Sequence, residues 1–216
     1  SAVVVAAVVI VAIAIGRGAG VEAGTVTGRP EGIAATRALF AGIPQHGVEL
    51  GSPSAAVTVT DFSDLQCTFC GQSARDELPE IVRRYVRTGR VKLVFHTLAF
   101  LGDDSRRGAR MAAAAAMQDR LWQFVDLVYR NQGAENTGWV TDAYLRRVAL
   151  AAGLDTRRAF SDRRSPAASG QLAKARDAAR TAGVQSTPTF LVAPPGELVV
   201  GAGRLRGAID HALSRK

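Results

Sequence analysis

The sequence predicts an α/β fold in which a β-α-β unit and a later β-β-α unit are separated by a long helical segment. Two runs rich in β-branched residues, 56–61 and 91–96, have the composition of buried strands. No strand pattern occurs over 103–183, and two strand-like runs follow at 189–192 and 198–200. With 47% hydrophobic and 21% charged residues, the 216-residue chain has the composition of a globular protein that buries a core.

The sequence starts with a continuous apolar run, from Ala2 to Ile15. As a helix, this run would span about two-thirds of a bilayer core of ~30 Å. A signal-peptide core and an uncleaved anchor look alike at this length, and we favour an anchor because no small-x-small cleavage site follows closely. We therefore predict an N-terminal membrane anchor or signal segment over 1–16, a Gly- and Ala-rich linker over 17–36 and one domain over 37–216.

The first elements of this domain are predicted to be a short apolar helix around 37–42, a turn at Pro44 and a short strand over 48–50. A Gly-Ser-Pro turn at 51–53 leads to the strand over 56–61. The β-branched residues of that strand suit a central position in the sheet, with both faces covered.

A helix is predicted to begin close to Cys70, since apolar residues recur from there to Tyr85 at spacings of three and four. Pro79 lies within this helix and is expected to kink it. Gly89 ends the helix, and the strand over 91–96 completes a β-α-β unit, which favours a parallel pair of strands.

The segment over 103–183 is predicted to be a helical insertion. Its helical patterns are an alanine-rich stretch from Met111 to Phe124 and further segments near 142–152, 157–162 and 167–182. Two strands then flank a Pro-Pro-Gly turn, and an amphipathic helix with Leu205 and Ile209 follows. This order of elements is that of a thioredoxin-like fold with a helical insertion.

The two cysteines of the chain, Cys67 and Cys70, form a CTFC motif. A bridge across four residues removes little entropy from the unfolded chain, so the spacing does not favour a purely structural disulfide. A zinc site needs two further ligands, and the three histidines are dispersed singly. The motif therefore predicts redox chemistry with no metal or cofactor, and the alternatives are an inert disulfide or half of a metal site.

The position of the motif between a strand and a helix favours a division of labour between the two thiols. Unpaired N–H groups at a helix start stabilise a thiolate, so we expect Cys67 to be an exposed nucleophile with a lowered pKa. Cys70, one turn into the helix on its apolar side, is expected to be the buried partner that resolves the mixed disulfide.

A second candidate site, Thr187 and Pro188, precedes the strand over 189–192. A proline at the first position of a strand costs no essential ladder hydrogen bond. A cis bond would leave the backbone of Thr187 free to face the cysteines and to pair with an extended substrate segment. An ordinary trans proline fits the spacing equally well.

Three segments together resemble the DsbA-like thioredoxin family, in particular its membrane-anchored bacterial branch. They are VTVTDFSDLQCTFC, MAAAAAMQDRLWQFVDLVYRNQ and GVQSTPTFLV, and the resemblance extends from Ile43 to the end of the sequence. The resemblance implies a thiol–disulfide oxidoreductase with Cys67 as the nucleophile, Cys70 as the resolving thiol and a cis peptide bond before Pro188.

Asp61 lies six residues before Cys67, where members of this family carry an acidic residue, commonly Glu. Buried beneath the disulfide, such a carboxylate would have a raised pKa and could relay a proton for Cys70. A capping or turn aspartate at the strand end is the alternative interpretation. Phe69 stands where strongly oxidising relatives have His, and because Phe cannot stabilise a thiolate, the resemblance leaves the redox direction open.

We expect the chain to act as a dithiol oxidase that exchanges disulfides with secreted or membrane proteins outside the cytoplasm, on the periplasmic or cell-envelope side. A membrane-bound redox partner would reoxidise the cysteine pair. The alternatives are a reductase or isomerase on the same scaffold, whose partner would instead reduce the pair, and a CxxC metal-binding or chaperone-like module. The net charge of +8 comes from scattered basic residues without an aromatic-studded stripe, so nucleic acid is not an expected partner.

Overall fold

The computed structural model describes residues 28–201 and 203–215, and its centre is a six-stranded mixed sheet. In chain order the strands are β1 (Gln45–His46), β2 (Glu49–Leu50), β3 (Val57–Asp64), β4 (Val91–Leu98), β5 (Thr189–Ala193) and β6 (Glu197–Val200). Across the sheet the order is β1-β2-β4-β3-β5-β6, with β3 and β4 parallel and the other neighbours antiparallel. This arrangement confirms the predicted thioredoxin-like sheet.

The helices account for the rest of the regular structure. They are α1 (Ile33–Phe40), α2 (Thr68–Asp76), α3 (Leu78–Ile81), α4 (Asp103–Ala116), α5 (Leu121–Arg130), α6 (Asp142–Ala152), α7 (Thr156–Asp162), α8 (Pro166–Ala182) and α9 (Leu205–Ser214), with a π-helical segment (Val82–Val86) after α3. Helices α4 to α8 occupy the predicted insertion, and none of the described strands lies between residues 103 and 183. The helical insertion is therefore confirmed.

Strand β3 lies in the middle of the sheet and positions the candidate site. Its fully covered residue Val59 pairs with Leu93 of β4 on one side and with Val192 of β5 on the other. Near the carboxyl end of β3, Phe62 pairs with Thr189, the first residue of β5. The sheet therefore brings the start of α2 and the loop before β5 to the same edge.

The helical insertion packs on the sheet through Trp122 of α5, which is buried as expected for a core residue. The Trp122 ring meets Phe95 of β4 edge-on, with 5.8 Å between ring centroids, and lies 6.4 Å from the ring of Phe40. Its indole N–H donates to the Val48 carbonyl at 3.2 Å. One side chain thus joins the insertion, the sheet and the entry segment, which comprises α1, β1 and β2 before β3.

The helix after the CTFC motif is divided at Pro79. Helix α2 ends at Asp76 and α3 begins at Leu78, with the proline in its first turn. Proline suits that position because the first N–H groups of a helix need no partner within it. The structure therefore has two successive helices where the sequence predicted one kinked helix.

The predicted anchor over 1–16 lies outside the described residues, as does most of the predicted linker over 17–36. Among the helices of residues 28–201 and 203–215, none combines the length and apolar composition needed to cross a bilayer. Helix α1 begins at Ile33, so it includes residues on the N-terminal side of the predicted boundary at 37. The reason is a buried contact, since Thr36 donates a hydrogen bond to the Asp126 carboxylate of α5.

Candidate active site

The two cysteines lie at the start of α2, both as thiols. Cys67 has an extended backbone and caps the helix, because its Sγ accepts a hydrogen bond from the Cys70 backbone N–H at 3.2 Å. Cys70 lies within the first turn and is 2% exposed. Cys67 is only 5% exposed, so the expectation of an exposed sulfur is wrong in this state. The sulfur is covered because it lies against the first turn of α2 and the loop before β5.

The environment separates the pKa values of the two thiols. Hydrogen bonding from the Cys70 thiol, together with contacts to Thr187 and to the backbone N–H groups of Cys70 and Phe69, lowers the pKa of Cys67 from 9.0 to about 6. Burial, followed by the interaction with Cys67, raises the pKa of Cys70. These directions agree with the predicted contrast between a reactive and a buried thiol.

The loop before β5 lies beside Cys67. The Thr187–Pro188 peptide bond is cis, as the resemblance implied, and Pro188 is buried. Cys67 Sγ is 3.5 Å from the Thr187 carbonyl oxygen, within range of an S–H···O hydrogen bond. The structure therefore brings together the two segments that the sequence selected, 120 residues apart.

Asp61 lies on β3 beneath the active-site helix, where the Ser63 hydroxyl donates to its carboxylate. Asp61 and Cys70 both line a cavity of about 20 Å³, which is room for about one water molecule. Burial raises the pKa of Asp61 from 3.8 to about 7, with a smaller contribution from the charge of Cys67. Asp61 is therefore a half-buried carboxylic acid that shares a cavity with the inner thiol.

Asp64, the last residue of β3, has a structural position. Its buried carboxylate accepts hydrogen bonds from the backbone N–H groups of Gln66, Phe100 and Leu101 and from the Ser105 hydroxyl, at 2.6 to 3.1 Å. These contacts fix the loop that leads from β3 to the CTFC motif.

His96 of β4 also has no contact with the cysteines among its described interactions. Its ring packs on Phe62, with 5.3 Å between centroids, and burial lowers its pKa. The packing on Phe62 indicates a structural role for His96. No cluster of three or more His, Cys, Asp or Glu side chains suited to a metal ion occurs in the described part of the chain.

Two residues of the insertion reach the active site without any signal in the sequence. Gln132 donates from its side-chain amide to the carbonyls of Leu65 and Cys67, both at 3.0 Å. Glu135 accepts hydrogen bonds from the backbone N–H and the hydroxyl of Thr68, at 2.9 and 3.1 Å. Polar residues in a loop follow no periodicity, and a separation of 65 to 67 residues along the chain conceals their contact with the motif.

Thiol pairs held in this way, at a helix start beside a cis-proline loop, exchange disulfides with other thiols. The class of protein that this fold and site define is the DsbA-like thiol–disulfide oxidoreductase. The chain belongs to the thioredoxin family, whose model Thioredoxin_4 matches residues 45–195.

Individual relatives agree with this class. The chain is 30% identical over 147 residues to the protein named "Probable disulfide bond formation protein D" of Bacillus cereus, which covers 66% of this chain and 68% of that protein. A thioredoxin-like oxidoreductase from Silicibacter pomeroyi is 30% identical, with a TM-score of 0.63 over 82% of this chain and 97% of that one. Oxidised BdbD from Bacillus subtilis shares the fold at 23% identity, with a TM-score of 0.70 over 80% of this chain and 97% of that one.

Proposed function

We propose that this oxidoreductase acts as a dithiol oxidase on protein substrates, with Cys67 as the nucleophilic sulfur and Cys70 as the resolving thiol. The observation that carries the proposal is the contrast between the two sulfurs. Both sulfurs are covered, but Cys67 accepts a hydrogen bond from the Cys70 backbone N–H at the start of α2 and has a lowered pKa, whereas the pKa of Cys70, within the first turn, is raised. A thiolate stabilised at Cys67 is a good leaving group, and this favours release of an oxidised substrate.

The reaction begins with the Cys67–Cys70 disulfide. A substrate thiolate attacks Cys67 Sγ, the disulfide breaks, and Cys70 leaves with the electron pair and takes up a proton. A second substrate thiolate then attacks the substrate sulfur of the mixed disulfide and releases the Cys67 thiolate. The substrate dithiol is oxidised to a disulfide by two electrons, and the enzyme disulfide is reduced to a dithiol.

Asp61 is proposed to move the proton that Cys70 takes up and later loses. Its pKa of about 7 leaves it partly protonated near neutral pH, as this role requires. The cavity shared with Cys70 has room for one bridging water, which supports a relay without direct contact.

Thr187 and Pro188 are proposed to hold the substrate beside Cys67. The 3.5 Å approach of the Thr187 carbonyl to the sulfur supports this role, since an extended peptide pairs with free backbone groups. Phe69, inside the CTFC motif and 67% exposed, offers an apolar contact suited to an unfolded protein chain.

An extracytoplasmic location and a membrane-bound redox partner complete the proposal. The apolar run over 1–16 and the relatives named for disulfide bond formation support them. Reoxidation transfers two electrons from the enzyme dithiol to a disulfide of the partner, which leaves as a dithiol.

The test compares Cys67→Ser and Cys70→Ser in cells by non-reducing electrophoresis. Cys70→Ser is expected to accumulate mixed disulfides with substrates, because the resolving thiol is missing. Cys67→Ser is expected to form none, because burial raises the pKa of the remaining Cys70 thiol and keeps it protonated. Equal trapping by both variants would contradict the assigned roles. A wild-type pair found mainly reduced in cells would instead favour the reductase or isomerase.

A further inference from the structure

The insertion places a carboxylate on the first turn of the active-site helix. Glu135 lies in the loop between α5 and α6 and is exposed, as is Thr68, the first residue of α2. The carboxylate accepts from the Thr68 backbone N–H at 2.9 Å and from its hydroxyl at 3.1 Å. Glu135 thus binds the N–H group of the residue that directly follows Cys67.

The N–H groups at the start of α2 are shared between two acceptors. The Cys70 N–H is directed to Cys67 Sγ, whereas the Thr68 N–H is directed to Glu135. Both acceptors therefore use the positive end of one helix. When Cys67 is a thiolate, two negative groups occupy neighbouring positions, but when Cys67 is in a disulfide, only the carboxylate is charged.

Hydrogen bonds on both sides of Glu135 join its loop to residues 65–67, which lead into α2. Gln132 donates to the Leu65 and Cys67 carbonyls, and the Asn136 N–H donates to the side-chain oxygen of Gln66 at 2.8 Å. The Gln66 side chain is fully buried. These contacts hold the Glu135 backbone in place, so its carboxylate stays near Thr68.

The other charged groups around the motif do not neutralise Glu135. Asp61 lies beneath the cysteines and is itself acidic. Arg75, the basic residue of α2, donates to the Tyr129 carbonyl at 2.6 Å. No cation occurs among the described hydrogen bonds and ion pairs of Glu135. A salt bridge therefore does not offset the effect of its negative charge on the start of α2.

We propose that Glu135 is a positioning residue that lowers the reduction potential of the Cys67–Cys70 pair by placing a negative charge on the helix end that stabilises the Cys67 thiolate. The inference rests on the proposed thiol–disulfide exchange at these cysteines. Reduction converts the neutral disulfide to a Cys67 thiolate and a Cys70 thiol, and repulsion from Glu135 disfavours that product. The carboxylate therefore makes the enzyme a milder oxidant than its helix end alone would allow.

The test measures the equilibrium of the full chain with glutathione, in which enzyme disulfide and two glutathione thiols give enzyme dithiol and glutathione disulfide. Glu135→Gln keeps an oxygen that can accept from Thr68 but removes the charge. Its equilibrium constant is expected to rise about threefold, which for a two-electron couple is about 14 mV. The thiolate absorbance of Cys67 is expected to titrate at lower pH by about half a unit.

Two further measurements separate the effect of the Glu135 charge from a structural effect of the substitution. Glu135→Lys is expected to shift both quantities further in the same direction, and 1 M salt is expected to shrink the differences from wild type, because exposed charges are screened. The matched control is Asp177→Asn, which removes an exposed carboxylate from α8, where it pairs with Arg180. This variant is expected to leave both quantities unchanged.

The outcomes distinguish the inference from the function on which it rests. If the wild type exchanges with glutathione but Glu135→Gln and Glu135→Lys match it, or if Asp177→Asn shifts as much as they do, the inference is overturned and the proposed function stands. If the wild-type pair does not equilibrate with glutathione, the proposed function itself is overturned.

Discussion

Asp61 and Asp64 lie three residues apart on one strand, and their neighbours give them different chemistry. The Asp64 carboxylate accepts four hydrogen bonds, whereas the Asp61 carboxylate accepts one, from Ser63. For Asp61, burial with a single described donor raises the pKa and favours the protonated form. The contrast supports Asp61 as the proton-transfer group and Asp64 as a fixed support.

Replacing Asp61 is expected to stabilise the protein at alkaline pH. Since its pKa is raised from 3.8 to about 7, the folded state binds a proton that the unfolded state has released in this window, so stability falls as the pH rises through it. Asp61→Asn cannot ionise and is expected to raise the free energy of unfolding by about 1 to 3 kcal/mol at pH 8, because partial exposure weakens the full effect. Urea denaturation of the oxidised form measures it.

The difference in ionisation free energy between Asp61→Asn and wild type is expected to disappear near pH 3, below the pKa of Asp61 in both the folded and the unfolded state. Asp64→Asn is the matched comparison and is expected to destabilise at pH 8, because the amide replaces an acceptor with a donor among four donors. A destabilised Asp61→Asn variant at pH 8 would contradict the description of Asp61 as a half-buried carboxyl with a raised pKa.

The sequence predicted the residues of the site that are close to the motif or belong to a recognisable pattern. Cys67, Cys70 and Asp61 lie within ten positions of one another, and the Thr-Pro pair precedes a clear strand. Glu135 and Gln132 were not predictable, because their role depends on where the insertion folds back onto α2. Burial of the Cys67 sulfur was missed for the same reason, since a distant loop covers it.

Among the elements, the break between α4 and α5 shows what a periodic pattern cannot predict. The alanine-rich stretch predicted one helix, yet α4 ends at Ala116 and α5 begins at Leu121. Asp119 between them has a positive φ of 53°, and its carboxylate accepts from the Gly47 N–H at 2.7 Å. The side-chain oxygen of Gln45 accepts a hydrogen bond from the backbone N–H of Trp122 at 3.0 Å, so the entry segment caps the start of α5.

Removing this distant cap is expected to destabilise the fold. Gln45→Ala removes the oxygen that accepts from the backbone N–H of Trp122. It also removes the side-chain amide that donates to the Asp119 carbonyl and to the side-chain oxygen of Gln123. We expect the free energy of unfolding to fall by about 1 to 2 kcal/mol, the usual cost of a lost helix cap. Urea denaturation measures the change.

The control for this variant is Gln171→Ala on α8, a half-buried glutamine for which no side-chain hydrogen bond is described. It is expected to change stability by less than about 0.5 kcal/mol. Equal stability of Gln45→Ala and wild type would show that α5 does not depend on the entry segment. The glutathione equilibrium is expected to stay the same in both variants, since no described hydrogen bond joins either residue to α2.

At the scale of the whole molecule, the candidate active site is assembled from three parts of the chain. The β-α-β unit supplies the cysteines and Asp61, the later strands supply the cis-proline loop, and the insertion supplies Gln132 and Glu135. The order of β and α elements predicted the first two, because parallel and antiparallel pairing bring strand ends together. The redox state of the Cys67 sulfur is therefore expected to affect the contacts that all three parts make around it.

This coupling predicts how the stability of the fold depends on redox state and pH together. In the reduced protein the pKa of Cys67 is lowered from 9.0 to about 6, so between these values the unfolded state binds a proton that the folded state has released. Stability of the reduced form is then expected to rise relative to the oxidised form by up to about 1.4 kcal/mol per pH unit, and to lose this contribution as the pH falls through 6.

Urea denaturation of the oxidised and the reduced protein at pH 6, 7 and 8 measures this dependence. The oxidised form has no ionisable sulfur, so the difference between the forms reports mainly on Cys67, with a smaller contribution from Asp61, whose pKa the charge of Cys67 raises further. Reduced Cys67→Ser is expected to lack the rise relative to oxidised wild type, because serine does not ionise in this range. A reduced-minus-oxidised difference that stays flat from pH 6 to 8 would show that the thiolate is not stabilised at the start of α2, and the proposed exchange mechanism would lose its physical basis.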